Sequence, residues 1–251
     1  MEMNPHGASE RSADFQLGDH VCFFYDTEAE HRAVLTAFLV EGLQRQEKVV
    51  YILESHTPAV VVDYLKETRI NVGRCLASGQ LTLLDAEAAY LHAGSFHPER
   101  MLEWLQTEMQ RALAEGYPAL RATGEMAWAL RSPSGLAQVS DYEAKLNERL
   151  PGSPGIALCQ YDRRSFEPPA QLDSVLTHPT VIDGTSRLPN PYYLRPSEFL
   201  RPEIRHATIR CLAQEVSGDT STSPEPSINQ QGMDRLLGRW RRASANPTPS
   251  S

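Results

Sequence analysis

Strand and helix signals alternate along this chain from His20 to about Asp183, and that alternation leaves few architectures open. His20-Val-Cys-Phe-Phe-Tyr25 is a short apolar run of β-formers, the pattern of a strand covered on both faces. Thr27-Glu-Ala-Glu30 fits a capping box, and the helix it opens places Val34, Leu35, Phe38, Leu39 and Leu43 on one face. Val49–Leu53 reads as a second strand, and Thr57-Pro58 opens a second helix with proline where its missing N–H costs little. Gln80–Leu84 is the third strand. Pro98 begins a helix striped with Met101, Leu102, Leu105, Met109 and Leu113, ended by Gly116. Ala119–Thr123 is a fourth strand, Ser134–Leu150 a helix, and Ile156–Tyr161 a fifth strand. Strands separated by helices predict an α/β fold, a mainly parallel sheet flanked by helices.

Beyond Asp183 the pattern fades. Asn190-Pro-Tyr-Tyr-Leu-Arg-Pro196 is held extended by its prolines, and residues 196–215 read as one helical extension. Residues 1–14 are polar and read as a disordered N-terminus without a secretory signal. Residues 216–251 read as a flexible tail, rich in Ser, Thr and Pro over 217–231. Within it Met233, Leu236, Leu237 and Trp240 recur at helical spacing, and four arginines against Asp234 make a short basic amphipathic segment that could dock on a partner.

Composition narrows the function. A formal net charge of -8 argues against direct nucleic-acid binding, which needs a basic surface. No run approaches the roughly 18 apolar residues that span a bilayer. The four cysteines, Cys22, Cys75, Cys159 and Cys211, form no CxxC pair and suit reduced thiols in a cytoplasm. His20, His31 and Cys22 lack a compact ligand spacing such as HExxH, so no metal and no cofactor are expected. His20 reads as a hydrogen-bonded structural histidine, His178 as orienting a turn before Pro179, and Cys22 and Cys159 as core thiols. No GxSxG elbow is present, and Ser55 beside His56 is not in itself catalytic geometry.

A strand, a turn and a long helix at the front of a βαβ unit are the setting of a phosphate-binding loop. Here the turn reads Tyr25-Asp-Thr-Glu-Ala-Glu-His31, with no glycine, no lysine and three acidic side chains. Nucleotide hydrolysis in the P-loop manner is not expected, and the chain is read as a non-enzyme with no catalytic residues.

Several motifs lie in the order seen in one family. Gly18-Asp-His20 with Tyr25-Asp26, Ala77-Ser-Gly-Gln-Leu81, Arg121-Ala-Thr-Gly-Glu-Met-Ala-Trp128, Tyr142-Glu143, Cys159-Gln-Tyr-Asp162, Thr177-His-Pro179 and Asn190-Pro-Tyr-Tyr193 resemble the MEDS sensory domains. That family is named for methanogen and methylotroph proteins and a DcmR-type regulator. The resemblance covers about residues 15–195. It implies a RecA/KaiC-like core without a phosphate loop and a role in sensing small hydrocarbon derivatives or C1 compounds. It also implies a histidine kinase or transcription-regulator partner, since no transmitter or helix-turn-helix pattern follows residue 195. The alternatives are a diverged nucleotide-binding ATPase or kinase with Glu125 as base, and a ligand-free interaction module.

In open parallel sheets ligands gather beyond the carboxyl ends of the strands. The candidates there are Tyr25, Asp26, Glu54, Glu125, Met126, Trp128, Tyr161 and Asp162. Glu125 and Asp162 would supply polar contacts, and Tyr25, Met126, Trp128 and Tyr161 apolar ones. Three of them have a structural alternative. Glu125 could cap a helix or pair with Arg131 or Arg164, Asp26 could replace Thr27 as the cap, and Asp162 could pair with a neighbouring arginine.

Overall fold

The computed structural model describes residues 15–91, 95–131, 133–217 and 228–245, so the expectation for residues 1–14 lies outside it. Seven strands form one sheet: β1 (His20–Tyr25), β2 (Lys48–Leu53), β3 (Leu81–Asp85), β4 (Leu120–Glu125), β5 (Gly155–Asp162), β6 (Thr180–Asp183) and β7 (Ser186–Pro189). Their order is β3-β2-β4-β5-β1-β6-β7, parallel throughout except where β7 turns back on β6. The five strands read from sequence all form, each within two residues of its expected bounds. β6 and β7 were not expected, because four-residue strands carry too little periodicity to register. Gly184, at φ +61, provides the turn between them.

One face of the sheet is covered by α1 (Glu28–Gln44), α2 (Pro58–Leu65) and α3 (Val72–Ala77), whose Leu35, Phe38, Leu39, Val61, Leu65 and Cys75 pack on Val21, Phe23, Tyr51 and Leu158. The other face is covered by α4 (Ala86–Tyr90), α5 (Pro98–Ala114), α6 (Pro133–Leu146) and α7 (Pro168–Thr177). Thr27 caps α1 in a full capping box with Glu30, as the sequence predicts. Leu113, assigned to the buried stripe of α5, is exposed, and Ala112 takes the core position. Alternation has set the strands' faces. Odd-numbered Val21 and Phe23 point to one layer, even-numbered Cys22 and Phe24 to the other.

The C-terminal region departs from the sequence reading. The single helical extension is two helices, α8 (Pro196–Phe199) and α9 (Pro202–Ser217), and buried Phe199 belongs to the core of the second face. The supposed flexible tail contains α10 (Gln230–Ala245). Its Met233, Leu236, Leu237 and Trp240 are buried against α7, α9 and β7. Trp240 Nε1 donates to the Pro189 carbonyl at 2.9 Å, and Arg241 pairs with Asp183 at 2.6 Å. The apolar stripe was visible, but its partner surface exists only once α7, α9 and β7 are assembled. Among the described residues no helix is long and apolar enough to cross a membrane.

Replacing Trp240 with alanine removes both the buried indole and its hydrogen bond. Hydrogen exchange should then accelerate at least about tenfold along α10 while the amides of β1, β4 and β5 keep their protection. Uniform loss of protection across the sheet would show instead that α10 unfolds only with the whole domain.

Candidate functional site

The carboxyl ends of β1, β2, β4 and β5 converge on Glu125, the last residue of β4. It is 2% exposed. The backbone N–H groups of Glu54, Ser55 and His56, in the loop after β2, all donate to its Oε2, at 3.0 Å from Glu54 and 3.2 Å from His56. Tyr51 donates its hydroxyl to Oε1 at 2.6 Å, and His56 Nδ1 donates to the same oxygen at 2.9 Å. Burial pushes the Glu125 carboxyl up, but the bonds from His56, Tyr51 and the loop amides outweigh it and bring it down to about 2.

The network extends sideways. His56 Nε2 faces Glu28 at 3.2 Å, so this imidazole lies between two carboxylates, and its bond to Glu125 raises its pKa. The His31 ring stacks on His56 with centroids 4.2 Å apart and planes 7° from parallel. Burial holds His31 below the ordinary histidine value, while the Glu125 hydrogen bond holds its stacked neighbour His56 above it. Gln160 donates its amide to Thr123 Oγ1 at 2.7 Å, which turns its carbonyl oxygen to His31 Nε2, also at 2.7 Å. Tyr64 joins by donating its hydroxyl to Glu28 and lies 3.1 Å from His31 Nδ1. Glu28, His31 and His56 thus bring three ligand-type atoms within 4.8 Å of one another. Every one of those nitrogens already has a polar partner, so the set works as a hydrogen-bonded strut between α1, the β2 loop and β4.

The eight residues nominated from sequence do not form one site. Tyr25 and Glu125 do lie together on the α1 side of the sheet, and the buried Tyr25 ring contacts His31 at 4.6 Å. Asp26 is exposed and pairs with Arg163 at 3.2 Å, and Thr27, not Asp26, caps α1. Glu54 forms a two-pronged ion pair with Arg131 at 2.6 Å. Asp162 is bound by Arg164, Nε at 2.8 Å and Nη2 at 2.7 Å, which is its structural alternative. Glu125 pairs with neither Arg131 nor Arg164. Met126, Trp128 and Tyr161 fall on the opposite face, Tyr161 by alternation within β5 and Met126 and Trp128 because the 3-10 helix Met126–Arg131 after β4 carries them there. Sequence reasoning weighed His31 and His56 only as metal or catalytic candidates and set them aside, and it missed Tyr51, Tyr64 and Gln160. Tyr51 and Gln160 lie inside strands, where only the register brings them beside Glu125.

On that opposite face, Trp128 stacks on Tyr90 at 4.6 Å and contacts Phe96 at 4.5 Å. Tyr90 in turn lies over Gly124, where a Cβ would come within 2.2 Å of its hydroxyl. In front of this aromatic wall an open cleft of about 230 Å³ runs between α4 and α5, lined by Ala88, Ala89, Tyr90, Met101 and Trp104 and by the polar Ser95, His97 and Arg100. A smaller void of about 20 Å³ continues past Tyr90, Met101 and Trp104 to Gly124, Met126 and Cys159.

Comparison with known proteins places the chain. The family model for the methanogen/methylotroph, DcmR sensory domain (MEDS) matches residues 19–179. The transcriptional repressor DcmR of Methylorubrum extorquens is 29% identical over 168 residues, a match spanning 66% of this chain and 60% of the repressor. Among solved structures, the uncharacterized protein PH0321 of Pyrococcus horikoshii, determined with an unknown peptide, is 12% identical, with a TM-score of 0.51 over 67% of this chain and 78% of that one. That likeness bears on the fold alone. The KaiC-like protein PH0186 of the same archaeon is 13% identical, with a TM-score of 0.46 over 67% of this chain and 72% of that one. With the parallel sheet, the ordered motifs and the family match over residues 19–179, the chain belongs to the MEDS family of sensory domains.

Proposed function

We propose that this domain is a cytoplasmic, non-enzymatic signal input that binds a small, weakly polar organic molecule, of the hydrocarbon-derivative or C1 class, in the cleft between α4 and α5. The observation that carries this reading is the cleft itself, a recess walled by Tyr90, Met101 and Trp104 with Ser95, His97 and Arg100 as its polar groups, which shares that wall with the void reaching Gly124. Its volume of about 230 Å³ is below the usual range for drug-sized ligands, roughly 300–1,000 Å³, and fits a molecule of a few heavy atoms. Met101 and Trp104 supply polarizable and aromatic contacts, and Met126 lies at the inner end. The ligand acts by binding two conformations unequally, and a transcription regulator or histidine kinase partner reads the shift. The repressor relative supports a transcriptional output.

The strand-end network supports a non-nucleotide reading. The Glu30 carboxylate accepts from the Asp26 and Thr27 amides at 2.9 and 3.1 Å, and Thr27 Oγ1 accepts from the Glu30 amide. The amides that would meet a phosphate are thus engaged by the chain's own side chains.

The test is a melting and tryptophan-fluorescence screen with halomethanes, short alcohols and short aldehydes, run on the native chain and on Ala89→Leu. Leucine at this half-buried rim position fills the cleft mouth. At least one compound should raise the melting temperature of the native chain and quench its fluorescence, and Ala89→Leu should weaken that compound's binding at least about tenfold. Glu125→Gln should leave the affinity unchanged. No response to any compound, or a response that Ala89→Leu leaves intact, would sink the cleft as the site.

A further inference from the structure

A second polar cluster lies inside the domain, on the far side of the sheet from Glu125. His20 at the start of β1, Glu143 on α6, Cys159 in β5 and His178 after α7 are all buried, with His20 at 3% exposure, Glu143 and His178 at 0% and Cys159 at 7%. Their ligand-type atoms (two imidazole Nε2, one carboxylate oxygen and one sulfur) all lie within 4.8 Å of one another. Glu143 Oε2 stands 2.9 Å from His20 Nε2, 3.6 Å from His178 Nε2 and 3.4 Å from Cys159 Sγ, and Cys159 Sγ stands 3.6 Å from His20 Nε2.

The surrounding hydrogen bonds fix where the protons are. Asn147 uses its amide N–H groups on the carbonyls of Glu143, Ala144 and Thr177, which leaves its Oδ1 facing His20 Nδ1 at 2.9 Å. His20 Nδ1 must therefore donate. The Ser174 carbonyl does the same for His178 Nδ1 at 2.7 Å. With Nδ1 so held, each ring turns its Nε2 into the cluster, beside a carboxylate and a thiol, and His20 Nε2 hydrogen-bonds Glu143 Oε2. His178 Nε2, fully buried, has no hydrogen-bond partner there. Tyr161 donates to the remaining Glu143 oxygen at 2.9 Å, orienting it from behind. Histidines held by Nδ1–H acceptors and a carboxylate held by a hydroxyl are the outer-shell arrangement that fixes metal ligands.

We propose that His20 Nε2, His178 Nε2, Glu143 Oε2 and the Cys159 thiolate bind one divalent transition-metal ion of the zinc class inside the domain. Bond lengths of about 2.0–2.3 Å set the edges of a tetrahedral site at roughly 3.3–3.7 Å, and three of the four distances above already lie there. The His20–Glu143 contact has only to open by about 0.4 Å. One carboxylate and one thiolate match the ion's charge of two. The Cys159 thiol proton and the proton shared between His20 Nε2 and Glu143 Oε2 pass to solvent as the metal bonds form, with no change of oxidation state. Four protein ligands close the site, so the ion ties β1, β5, α6 and the α7–β6 turn together rather than presenting an open catalytic position. The ligands come from positions 20, 143, 159 and 178, a spacing that no short motif reports.

Cobalt(II) substitution of the full chain tests this directly. The chain is stripped of metal by unfolding with a chelator and refolding, then titrated with Co²⁺. One equivalent should give intense visible d–d bands of a tetrahedral site together with a near-ultraviolet thiolate-to-cobalt band. Cys159→Ser, nearly isosteric, should lose the near-ultraviolet band. Zn²⁺ should raise the melting temperature of the stripped native chain by at least about 10 °C, and Mg²⁺ should not. Binding at Glu28, His31 and His56 would give no thiolate band, and a site at exposed Cys211 would keep the band in Cys159→Ser. Either result overturns the proposal, as does a stripped chain whose spectrum and melting temperature ignore both metals.

Discussion

Glu125→Ala is expected to cost roughly 3–5 kcal/mol of folding stability, measurable by urea unfolding. Three backbone amides, the Tyr51 hydroxyl and the His56 imidazole all donate to this carboxylate inside the domain. Alanine leaves each donor without its acceptor, and a buried donor that loses its acceptor costs more than the bond was worth net. A loss below about 1 kcal/mol would mean that water reaches the loop after β2 and replaces the carboxylate.

The same pair gives the native chain a pH signature. The Glu125 pKa lies at about 2 when folded against an ordinary 4.5, so its contribution is complete above pH 4.5 and fades as pH falls toward 2. A shift of that size corresponds to roughly 3 kcal/mol. His56 has the opposite sign. Its folded pKa is raised above 6.5, so its contribution is complete below 6.5 and is lost as pH rises through the raised value. Stability attributable to the pair should therefore be greatest between about pH 4.5 and 6.5. In Glu125→Gln both flanks should flatten together. If only the acid flank changes, His56 is held by Glu28 and not by Glu125.

The second large effect concerns Arg121, which the sequence offered only as part of a strand and of a family motif. Its side chain is fully buried, with Nε 2.5 Å from Glu47 and Nη1 3.4 Å from Glu41 and 3.3 Å from the Phe38 carbonyl. The guanidinium carbon lies 4.8 Å from the Phe38 ring centroid, and Gly42 leaves the space it occupies, since a Cβ there would come within 2.6 Å of Arg121 Cδ. Glu47→Ala removes the nearer carboxylate, leaves this buried charge only the longer contacts to Glu41 and the Phe38 carbonyl, and should destabilise the domain by roughly 3 kcal/mol. Arg121→Met combined with Glu47→Leu removes both charges at similar volume and should come within about 1–2 kcal/mol of the native chain, on either side. A double-mutant cycle in urea separates the two outcomes. Equal losses for the single and double variants would locate the effect in packing around Phe38 rather than in the unpaired charge.

What the sequence settled was local. A buried strand, a capping box or a proline at a helix start is encoded within a few residues, so five strands and the starts of α1, α2 and α5 were readable directly, as was the parallel α/β class. The ordered motifs carried the family. Assembly decided the rest. Period-two alternation sends Glu125 to one face and Tyr161 to the other, and the short helix after β4 carries Met126 and Trp128 to Tyr161's side, but which face meets which helix depends on crossovers that no local window contains. The same reason hid the partners of Glu125, the dock for α10 and the His20–Glu143–Cys159–His178 cluster. Burial and hydrogen bonding are properties of surfaces that become neighbours only when the strands take the order β3-β2-β4-β5-β1-β6-β7.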